Sequence, residues 1–477
     1  MAALGKHVRI FAIVAVLFVI SVPGVLAQSN TAAEPDRSYK LLREDEDWTF
    51  LRDKSLRQDF WDPIKYIQLG SKADWYMTIG GEARETWEQI GNDNWGQSPF
   101  WNGYLNERYM LSFDIHLGKH FRTFVEFKSG LNSYRFPGPR PIDEKELDFQ
   151  AAFLEVGTAK NRNWIRVQAG RLELEYGSGR LIDVREGPNV RLSFTGFRVI
   201  SKIRSWQIDG FAVRPDVDNF GIFDNVPNHQ IGFWGVYATR PLSKKVLLDV
   251  YYLGISRANA TYERGTAQEL RHSLGGRLSR PIATERPGWD FDYEALGQFG
   301  TFGSAGIHAW TAASETGYRV PTVALKPRFS TRADISSGDH PLSNPAALGT
   351  FNALFPKGNY FGVLATTGPG PVNFMDIHPR VEGTLPHNVS VAFDWIFYWR
   401  QSLQDGVYSV PGFLIRAADG SQARFVGNRP GVEARWQISQ HLWFQGDYGI
   451  FYAGPFLRQT QSGRNLNYWA VYAGYEF

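Results

Sequence analysis

Charged side chains, many of them arginines, recur at alternate positions in several segments of this chain. In residues 389–400 one alternating set is apolar, whereas Asp394 and Arg400 belong to the other set. Residues 108–117 repeat this pattern, with Arg108 in the polar set. Because successive side chains of a strand point to opposite faces, the spacing predicts strands with one apolar face and one charged face.

The charged face predicted in this way carries cations and carboxylates together. The cations are Arg84, Arg108, Arg122, Lys128, Arg166, Arg198, Arg271, Arg277, Arg328, Arg380, Arg400 and Arg435. The carboxylates are Glu82, Glu126, Asp209, Asp249, Asp292, Glu294, Glu433 and Asp447. Two interpretations stay open for each arginine: it braces the wall by pairing with a carboxylate across strands, or it contacts a passing anion.

Arginine suits the second role because of its chemistry. Its guanidinium stays charged at any physiological pH and binds a carboxylate through two parallel hydrogen bonds. Each exposed contact is worth only about 0–1 kcal/mol, and conduction needs several sites that attract an ion yet release it. The pattern therefore favours a lumen for anionic solutes that carry carboxylates.

The elements that position these residues are strands of a barrel. Alternating segments of about ten residues recur from Met77 to the end of the chain, which is typical of outer-membrane strands. In the last segment Trp469, Val471 and Phe477 fall on one face, as in a strand that meets lipid, although a soluble edge strand is the alternative. We predict an all-β fold, a transmembrane antiparallel β-barrel of about 18 strands that is wide enough for a water-filled lumen.

The links between the segments fall into two classes, which predicts the two ends of the barrel. Short links such as Arg240 to Lys245 alternate with longer polar links such as Gly91 to Asn102 and Arg257 to Thr266. The longest link is Asp334 to Asn373, and a short link near Gly303 to Gly306 is the exception in its class. An even number of strands leaves both termini on the short-turn, periplasmic side.

The N-terminal region divides into a signal peptide and a short segment before the barrel. Basic residues precede an apolar run from Ile10 to Ile20, and Val25-Leu26-Ala27 offers a small-residue cleavage site, so residues 1–27 are predicted to be a signal peptide. Residues 28–75 are charged but contain aromatic residues such as Trp48 and Trp61. We interpret them as a periplasmic N-terminal segment at or inside the mouth of the barrel, residues 76–477, with a disordered tail as the alternative.

Composition excludes one class of protein and supports the barrel. The formal net charge is only +3, which argues against a strongly basic nucleic-acid-binding domain. The chain has no cysteine, as fits an oxidising periplasmic route. Aromatic residues make up 15% of the chain and glycine contributes 48 residues, a composition typical of aromatic girdles and tight turns. We expect the barrel to contact outer-membrane lipid in a Gram-negative bacterium.

Enzyme motifs are absent from the sequence. It has no G-x-S-x-G, H-E-x-x-H or phosphate-loop motif, so an outer-membrane enzyme is only a third hypothesis. No cofactor is predicted. Asp216, Asp218, Asn219 and Asp224 are clustered oxygen ligands that could hold Ca²⁺ in an outer loop, although the twelve-residue calcium pattern is missing and a solvated loop is the alternative.

Several motifs resemble the alginate export family of outer-membrane proteins. They include Ile335-Ser336-Ser337-Gly338-Asp339, the following run from Leu348 to Pro356, and the run from Gly170-Arg171 through Arg180 to Arg191. The Ile377-His378-Pro379-Arg380 strand and Trp61-Asp62-Pro63-Ile64-Lys65-Tyr66 in the N-terminal segment are also similar. Together the motifs cover nearly all of the chain after the signal peptide.

The resemblance implies an 18-stranded, monomeric barrel through which a linear polyuronate leaves the cell past a constriction lined by arginines. By motif position it adds Arg171 and Arg180 to the pathway. The predicted pathway is then Arg84, Arg108, Lys128, Arg171, Arg180, Arg198, Arg328, Arg380 and Arg400. Periplasmic delivery proteins are candidate partners, and a general or anion-selective porin for small solutes is the alternative function.

Overall fold

The computed structural model describes residues 35–159, 161–362 and 368–477. One compact unit spans Ser38–Phe477, and the description that follows concerns that unit. The predicted signal peptide, residues 1–27, lies outside the described residues, as does the first part of the predicted N-terminal segment. None of the described helices is long and apolar enough to cross a membrane.

Eighteen antiparallel strands in the described part of the chain form a closed barrel, which confirms the predicted fold class. The barrel closes where β1 pairs with β18, from Glu82 opposite Glu476 to Gly91 opposite Asn467. The strands are β1 (Trp75–Asn92), β2 (Ser98–Leu117), β3 (Phe121–Ser133), β4 (Lys145–Gly157), β5 (Trp164–Leu172), β6 (Phe194–Ile203), β7 (Trp206–Val217), β8 (Ile231–Ser243), β9 (Val246–Tyr262), β10 (Gly265–Arg280), β11 (Gly288–Phe302), β12 (Ala305–Arg319), β13 (Arg328–Ser336), β14 (Phe374–Leu385), β15 (Val389–Trp399), β16 (Phe425–Gln437), β17 (Leu442–Ala453) and β18 (Leu466–Glu476).

The alternation of the sequence corresponds to two faces of the wall. In β15, Phe393 and Trp395 are 46% and 41% exposed on the outside, whereas Asp394 between them is 4% exposed. The period of two arises because each residue of a pleated strand points opposite to its neighbours. Apolar side chains therefore face the outside of the barrel, and the polar side chains are gathered inside.

The connections differ in length at the two ends, which we call the short-turn end and the long-loop end. The longest link runs from residue 337 to residue 373, close to the prediction. Two predicted outer links, Gly91 to Asn102 and Arg257 to Thr266, are mostly strand: β9 continues to Tyr262 and β10 begins at Gly265. A bulge between Arg257 and Ala260 interrupts that pairing, which explains why the alternation looked broken there.

Two loops from the long-loop end fold into the lumen. The 173–193 loop and the first part of the 337–373 loop pair with each other through a parallel bridge between Ile182 and Phe355. The backbone N–H of Phe355 donates to the carbonyl of Leu181 at 2.8 Å. Phe355 also packs edge to face on Phe194 at 5.0 Å between ring centroids. Apolar residues of both loops thus form one core with inward-facing residues of the wall.

The N-terminal segment fills the short-turn end. It contains short turns of 3-10 helix at Arg43–Asp45, Thr49–Arg52 and Lys54–Leu56, a helical turn at Asp62–Lys65, and a short strand at Ile67–Gln68 that pairs with β1. Arg122 of β3 donates to the carbonyl of Glu44 at 2.6 Å. Arg191 of the 173–193 loop donates to the carbonyl of Leu41 at 2.8 Å. The segment therefore reaches far enough into the lumen to contact a loop that enters from the other end.

The remaining helical turns close other links. They lie at Asp93–Gly96 between β1 and β2, at Pro386–Asn388 between β14 and β15, and at Pro455–Thr460 between β17 and β18. A two-stranded ribbon of Val407–Tyr408 and Leu414–Arg416 lies in the link between β15 and β16. These elements cover the long-loop end, except for the turn between β14 and β15, which belongs to the short-turn end.

Candidate functional site

A cavity of about 370 Å³ lies between the N-terminal segment, the two inserted loops and the wall near the closure of the barrel. We call it the inner cavity. Basic side chains lining it include Arg84, Arg191 and Arg435, and acidic ones include Glu186 and Asp447. The space that the inserted segments leave open is therefore lined by charge of both signs.

Three guanidinium groups converge on one carboxylate at the edge of this cavity. Arg84 Nη1 lies 3.0 Å from Glu186 Oε1, and Arg191 Nε lies 3.4 Å from Glu186 Oε2. Arg108 forms a hydrogen bond and an ion pair with the same Oε1 atom. Arg84, Arg108, Arg191 and Glu186 form what we call the Glu186 cluster. Glu186 comes from the 173–193 loop, so its carboxylate reaches the wall from within the lumen.

Sheet register explains why these arginines lie together. Arg84 of β1 and Arg108 of β2 are direct partners in the antiparallel pairing, and like charges in such a pair repel each other. Glu82 offsets part of this repulsion, since it lies 2.6 Å from Arg108. For Arg84, Glu186 is the only carboxylate of the described residues within salt-bridge distance.

The environment keeps Glu186 ionised. Desolvation in the lumen acts to raise the pKa of Glu186, but the neighbouring guanidinium groups, that of Arg108 foremost, outweigh it and lower the pKa to about 2. The side chain is still 38% exposed, so the ion pair is formed at the surface of the cavity. A cluster that holds one carboxylate in this way has the charge and geometry to hold another.

Another part of the wall of the inner cavity, on β16, carries a cation of a different kind. The Arg435 guanidinium lies 3.9 Å from the ring centroid of Trp443. No carboxylate in the described part of the chain lies within salt-bridge distance of Arg435. A guanidinium stacked on an indole keeps its charge and its N–H donors available to a solute.

The other predicted pathway residues are mostly paired with carboxylates of the wall. Arg198 lies 2.6 Å from Asp209, and Arg328 lies 2.6 Å from Asp290 and 2.9 Å from Glu315. Lys128 lies 3.0 Å from Asp218. Arg180 lies 3.2 Å from Asp292, and Arg171 lies 2.6 Å from Asp148. Arg380 lies 3.3 Å from Glu382. Whether any of them contacts a solute stays a prediction.

Arg400 differs from the rest of that set. It lies one residue beyond the end of β15, is fully buried, and donates to main-chain carbonyl groups such as that of Ser421 at 2.8 Å. Its guanidinium also packs on Phe456 at 4.0 Å. These contacts join Arg400 to the loops of the long-loop end. Because β15 ends at Trp399, the alternation of strand faces does not decide where the Arg400 side chain points.

The carboxylates that the sequence offers as calcium ligands each bind another side chain of the protein. Asp216 accepts hydrogen bonds from Ser193 and Thr195, each at 2.7 Å. Asp218 pairs with Lys128, and Asp224 pairs with Lys145. No group of three or more His, Cys, Asp or Glu that could hold a metal ion occurs among the described residues.

One of the contacts between the two loops is made by a cation. Lys357 Nζ donates to the Ser178 carbonyl at 3.2 Å, and the sequence pattern did not identify it. Burial, with the nearby charges of Arg332 and Arg180, lowers the pKa of Lys357 to about 8. Glu186, Arg191 and Lys357 were missed as site residues because loop positions have no alternation, although the run Val184 to Arg191 had marked the segment.

Comparisons with known proteins agree with the barrel fold. The family model described as alginate export matches residues 75–471. Among solved structures, OccD3 (OpdP) of Pseudomonas aeruginosa is similar, with a TM-score of 0.58 and 11% identity over 87% of this chain and 93% of that chain. OccAB3 of Acinetobacter baumannii gives a TM-score of 0.59 and 12% identity over 84% and 99% of the two chains. At these identities the likeness concerns the fold alone, and no curated protein matches.

Proposed function

This chain belongs to the alginate export family, and from that premise we propose that it is the channel through which an alginate-like polyuronate crosses the outer membrane. The family and the barrel are those of an outer-membrane transport channel. The cargo and the role of the arginines are our proposal. The observation that carries it is the Glu186 cluster, in which three guanidinium groups bind one carboxylate.

A polyuronate presents a carboxylate on every sugar, so it can replace Glu186 without leaving any guanidinium uncompensated. An incoming carboxylate enters the inner cavity, Glu186 swings out, and the charge in the cluster is unchanged. This exchange lowers the cost of moving an anion through a narrow lumen, since a charge is never left desolvated and unpaired. The next carboxylate on the polymer, or Glu186 itself, then displaces the first.

The fixed contacts of the loop support such an exchange. Arg84 donates to the carbonyls of Glu186 and Pro188, each at 3.1 Å. These main-chain bonds hold the 173–193 loop at the wall whether or not the Glu186 carboxylate is in place. Only a side chain has to move for the site to become free.

The N-terminal segment and the direction of transport belong to the same proposal. With both ends of an 18-stranded barrel at the short-turn end, that end faces the periplasm in barrels of this type. The segment 38–68 then blocks the periplasmic mouth of a monomeric barrel. Delivery proteins in the periplasm are the partners that would displace it when cargo arrives.

Planar-bilayer recording with oligouronates of increasing length tests the proposal. A chain that places several carboxylates in weak sites at once gains from linkage, so block should strengthen with length and weaken as salt screens the charges. Monomeric uronate should block little. Equal block by a monomeric uronate or a neutral sugar would contradict polymer export.

A second function, an anion-selective porin for small solutes, is favoured by one observation. The inserted segments leave an inner cavity of about 370 Å³, a volume that suits a small molecule better than an extended polymer. Steady conduction of acetate or glucuronate, with no change in block as the oligomer grows, would support the porin.

A further inference from the structure

A second cavity, of about 420 Å³, lies at the long-loop end. We call it the outer cavity. It is lined by residues from the ends of β7, β8 and β9, from both inserted loops and from the link between β15 and β16. The two loops also line the inner cavity, so they separate the two spaces.

Consecutive residues of the 173–193 loop face these two cavities. Glu186 lines the inner cavity and Arg185 lines the outer one. Arg185 has a left-handed backbone with φ of 59°, a conformation uncommon for a residue with a long side chain. A strained residue of this kind persists only where the surrounding structure fixes it, and such residues cluster at functional sites.

The guanidinium of Arg185 is not neutralised by a neighbour. Its Nε donates to the Pro356 carbonyl at 3.3 Å. No carboxylate within the described ranges lies at salt-bridge distance from it. Burial lowers the pKa of Arg185 to about 10, and Asp183 opposes this shift only in part. The group therefore stays charged at neutral pH, with donors left for an anion.

A second polar group in the outer cavity, the side-chain amide of Asn352, has a donor without a hydrogen-bond partner. Asn352 is 8% exposed, and its Nδ2 atom is buried with no hydrogen-bond partner. Its Oδ1 accepts from the N–H of Leu354 at 2.8 Å, which fixes the orientation of the amide. An unsatisfied buried donor is destabilising, and a bound acceptor would remove that cost.

Two other charged residues of the lining have partners of their own, since Asp216 pairs with Arg171 and Arg257 pairs with Glu269. The uncharged part of the lining suits a sugar. Amide and hydroxyl groups lie around the cavity, on Asn228, Gln230, Asn259 and Thr261. Such groups can both donate hydrogen bonds to sugar hydroxyls and accept them. Phe355 and Phe413 add apolar surface, and the ring of Phe413 is 71% exposed. The volume lies in the range of small-molecule sites.

We propose that the outer cavity is a separate binding site for one uronate unit, in which Arg185 binds the sugar carboxylate and Asn352 donates to a ring or hydroxyl oxygen. The inference rests on the proposed function in that it assigns the same class of cargo. Cargo that leaves the Glu186 cluster is then held on the far side of the inserted loops, which opposes its return. The site selects for both the acid group and the sugar.

Equilibrium binding to the purified full chain in detergent tests the site, with galacturonate trimer as the acidic probe and a matched neutral trimer as the second probe. Arg185→Asn is the variant, because asparagine tolerates a left-handed backbone. Arg458→Gln is the matched control, since Arg458 is an exposed arginine at the same end that does not line the outer cavity. A heat-modifiability gel verifies that each barrel is folded.

The acidic trimer should bind Arg185→Asn at least tenfold more weakly than the native chain, with neutral-trimer affinity unchanged. Arg458→Gln should bind both probes as the native chain does. Equal loss in the two variants, or no loss in Arg185→Asn, would overturn the site. A bilayer measurement separates the two proposals. Dependence of current block on oligomer length tests polymer export, whereas loss of block by uronate added from the long-loop side in Arg185→Asn tests the outer cavity, even if the dependence on length is absent.

Discussion

Two groups of arginines in the lumen differ in where their counter-charges come from. In the wall from β9 to β13, Arg277 pairs with Asp249 of β9 and Arg328 pairs with Glu315 of β12, each on an adjacent strand. In the Glu186 cluster, Arg84 pairs with a carboxylate carried by a loop. The main chain that carries a strand carboxylate is hydrogen-bonded to a strand on each side. A carboxylate on a loop lacks this restraint and can move away from its arginine. In the function that we propose, the first group braces the barrel and the second group is available to cargo.

The wall group gives the largest expected effect. Arg328→Met should destabilise the barrel by about 3–5 kcal/mol, because it leaves the buried Asp290 without its partner. Denaturant unfolding in lipid vesicles measures this. Ion selectivity of the folded fraction should not change. A stable Arg328→Met barrel with altered selectivity would place Arg328 in the pathway, as the sequence predicted, and would break the comparison.

The loop group should behave in the opposite way. Glu186→Gln removes the internal competitor while Arg84 keeps its bonds to the loop carbonyls. A charge-assisted hydrogen bond is worth about 1.5–3 kcal/mol, so oligouronate affinity should rise about tenfold or more. Isothermal titration calorimetry measures the affinity. Reversal potentials across a salt gradient should show a stronger preference for anions.

Asp290→Asn is the matched control for that variant. It also removes one carboxylate beside an arginine, but Arg328 keeps Glu315 as a partner. Its affinity for oligouronates should equal that of the native chain. A gain in Asp290→Asn as large as that in Glu186→Gln would mean that net charge alone governs binding.

Lys357 sharpens the comparison through pH. With its pKa near 8, the charged fraction falls from about 0.9 at pH 7 to about 0.1 at pH 9. Anion preference should therefore fall severalfold across this window, measured by reversal potential. Lys357→Arg should remove the change with pH, and its persistence in that variant would assign the titration to another group.

The smallest effect is expected at the short-turn end, where the N-terminal segment brings a counter-charge to a turn of the barrel. His441, in the turn between β16 and β17, lies 2.9 Å from Asp59 of the N-terminal segment. Burial acts to lower the pKa of His441, but the bonds to Asp59 and to the Glu476 carbonyl raise it overall. Stabilisation of the docked segment is thus complete at low pH and is lost as pH rises through that raised pKa.

Limited proteolysis of the N-terminal segment should therefore be about two- to fivefold faster at pH 8.5 than at pH 5.5, as expected for a partly exposed pair worth up to about 1 kcal/mol. His441→Gln should give the faster rate at both values of pH. Equal rates in the native chain would show that the aromatic contacts alone hold the segment.

The sequence predicted the wall far better than the site. Alternation placed Arg108 and Asp394 on the inner face, where they lie, because each strand repeats the same two-residue rule. It could not reveal Glu186, Arg191 or Lys357, since loop positions have no period and loop contacts join distant residues, 102 positions apart for Arg84 and Glu186 and 179 for Ser178 and Lys357. Arg400 lies one residue past β15, where the two-residue rule no longer applies, and its assignment to the pathway stays a prediction.

Docking of the N-terminal segment depends on both edges of the sheet. Trp61 stacks on Phe477 at 4.4 Å and donates to the Tyr475 hydroxyl at 2.8 Å. Phe477 in turn exchanges main-chain hydrogen bonds with Gly81 of β1 at 2.8 and 2.9 Å. The surface that receives Trp61 does not exist until the first and last strands have met. Insertion of the segment must then be a late step of assembly. In an unfinished barrel the short-turn end stays open and the Trp61 indole stays in water, where quenching of its fluorescence would detect it.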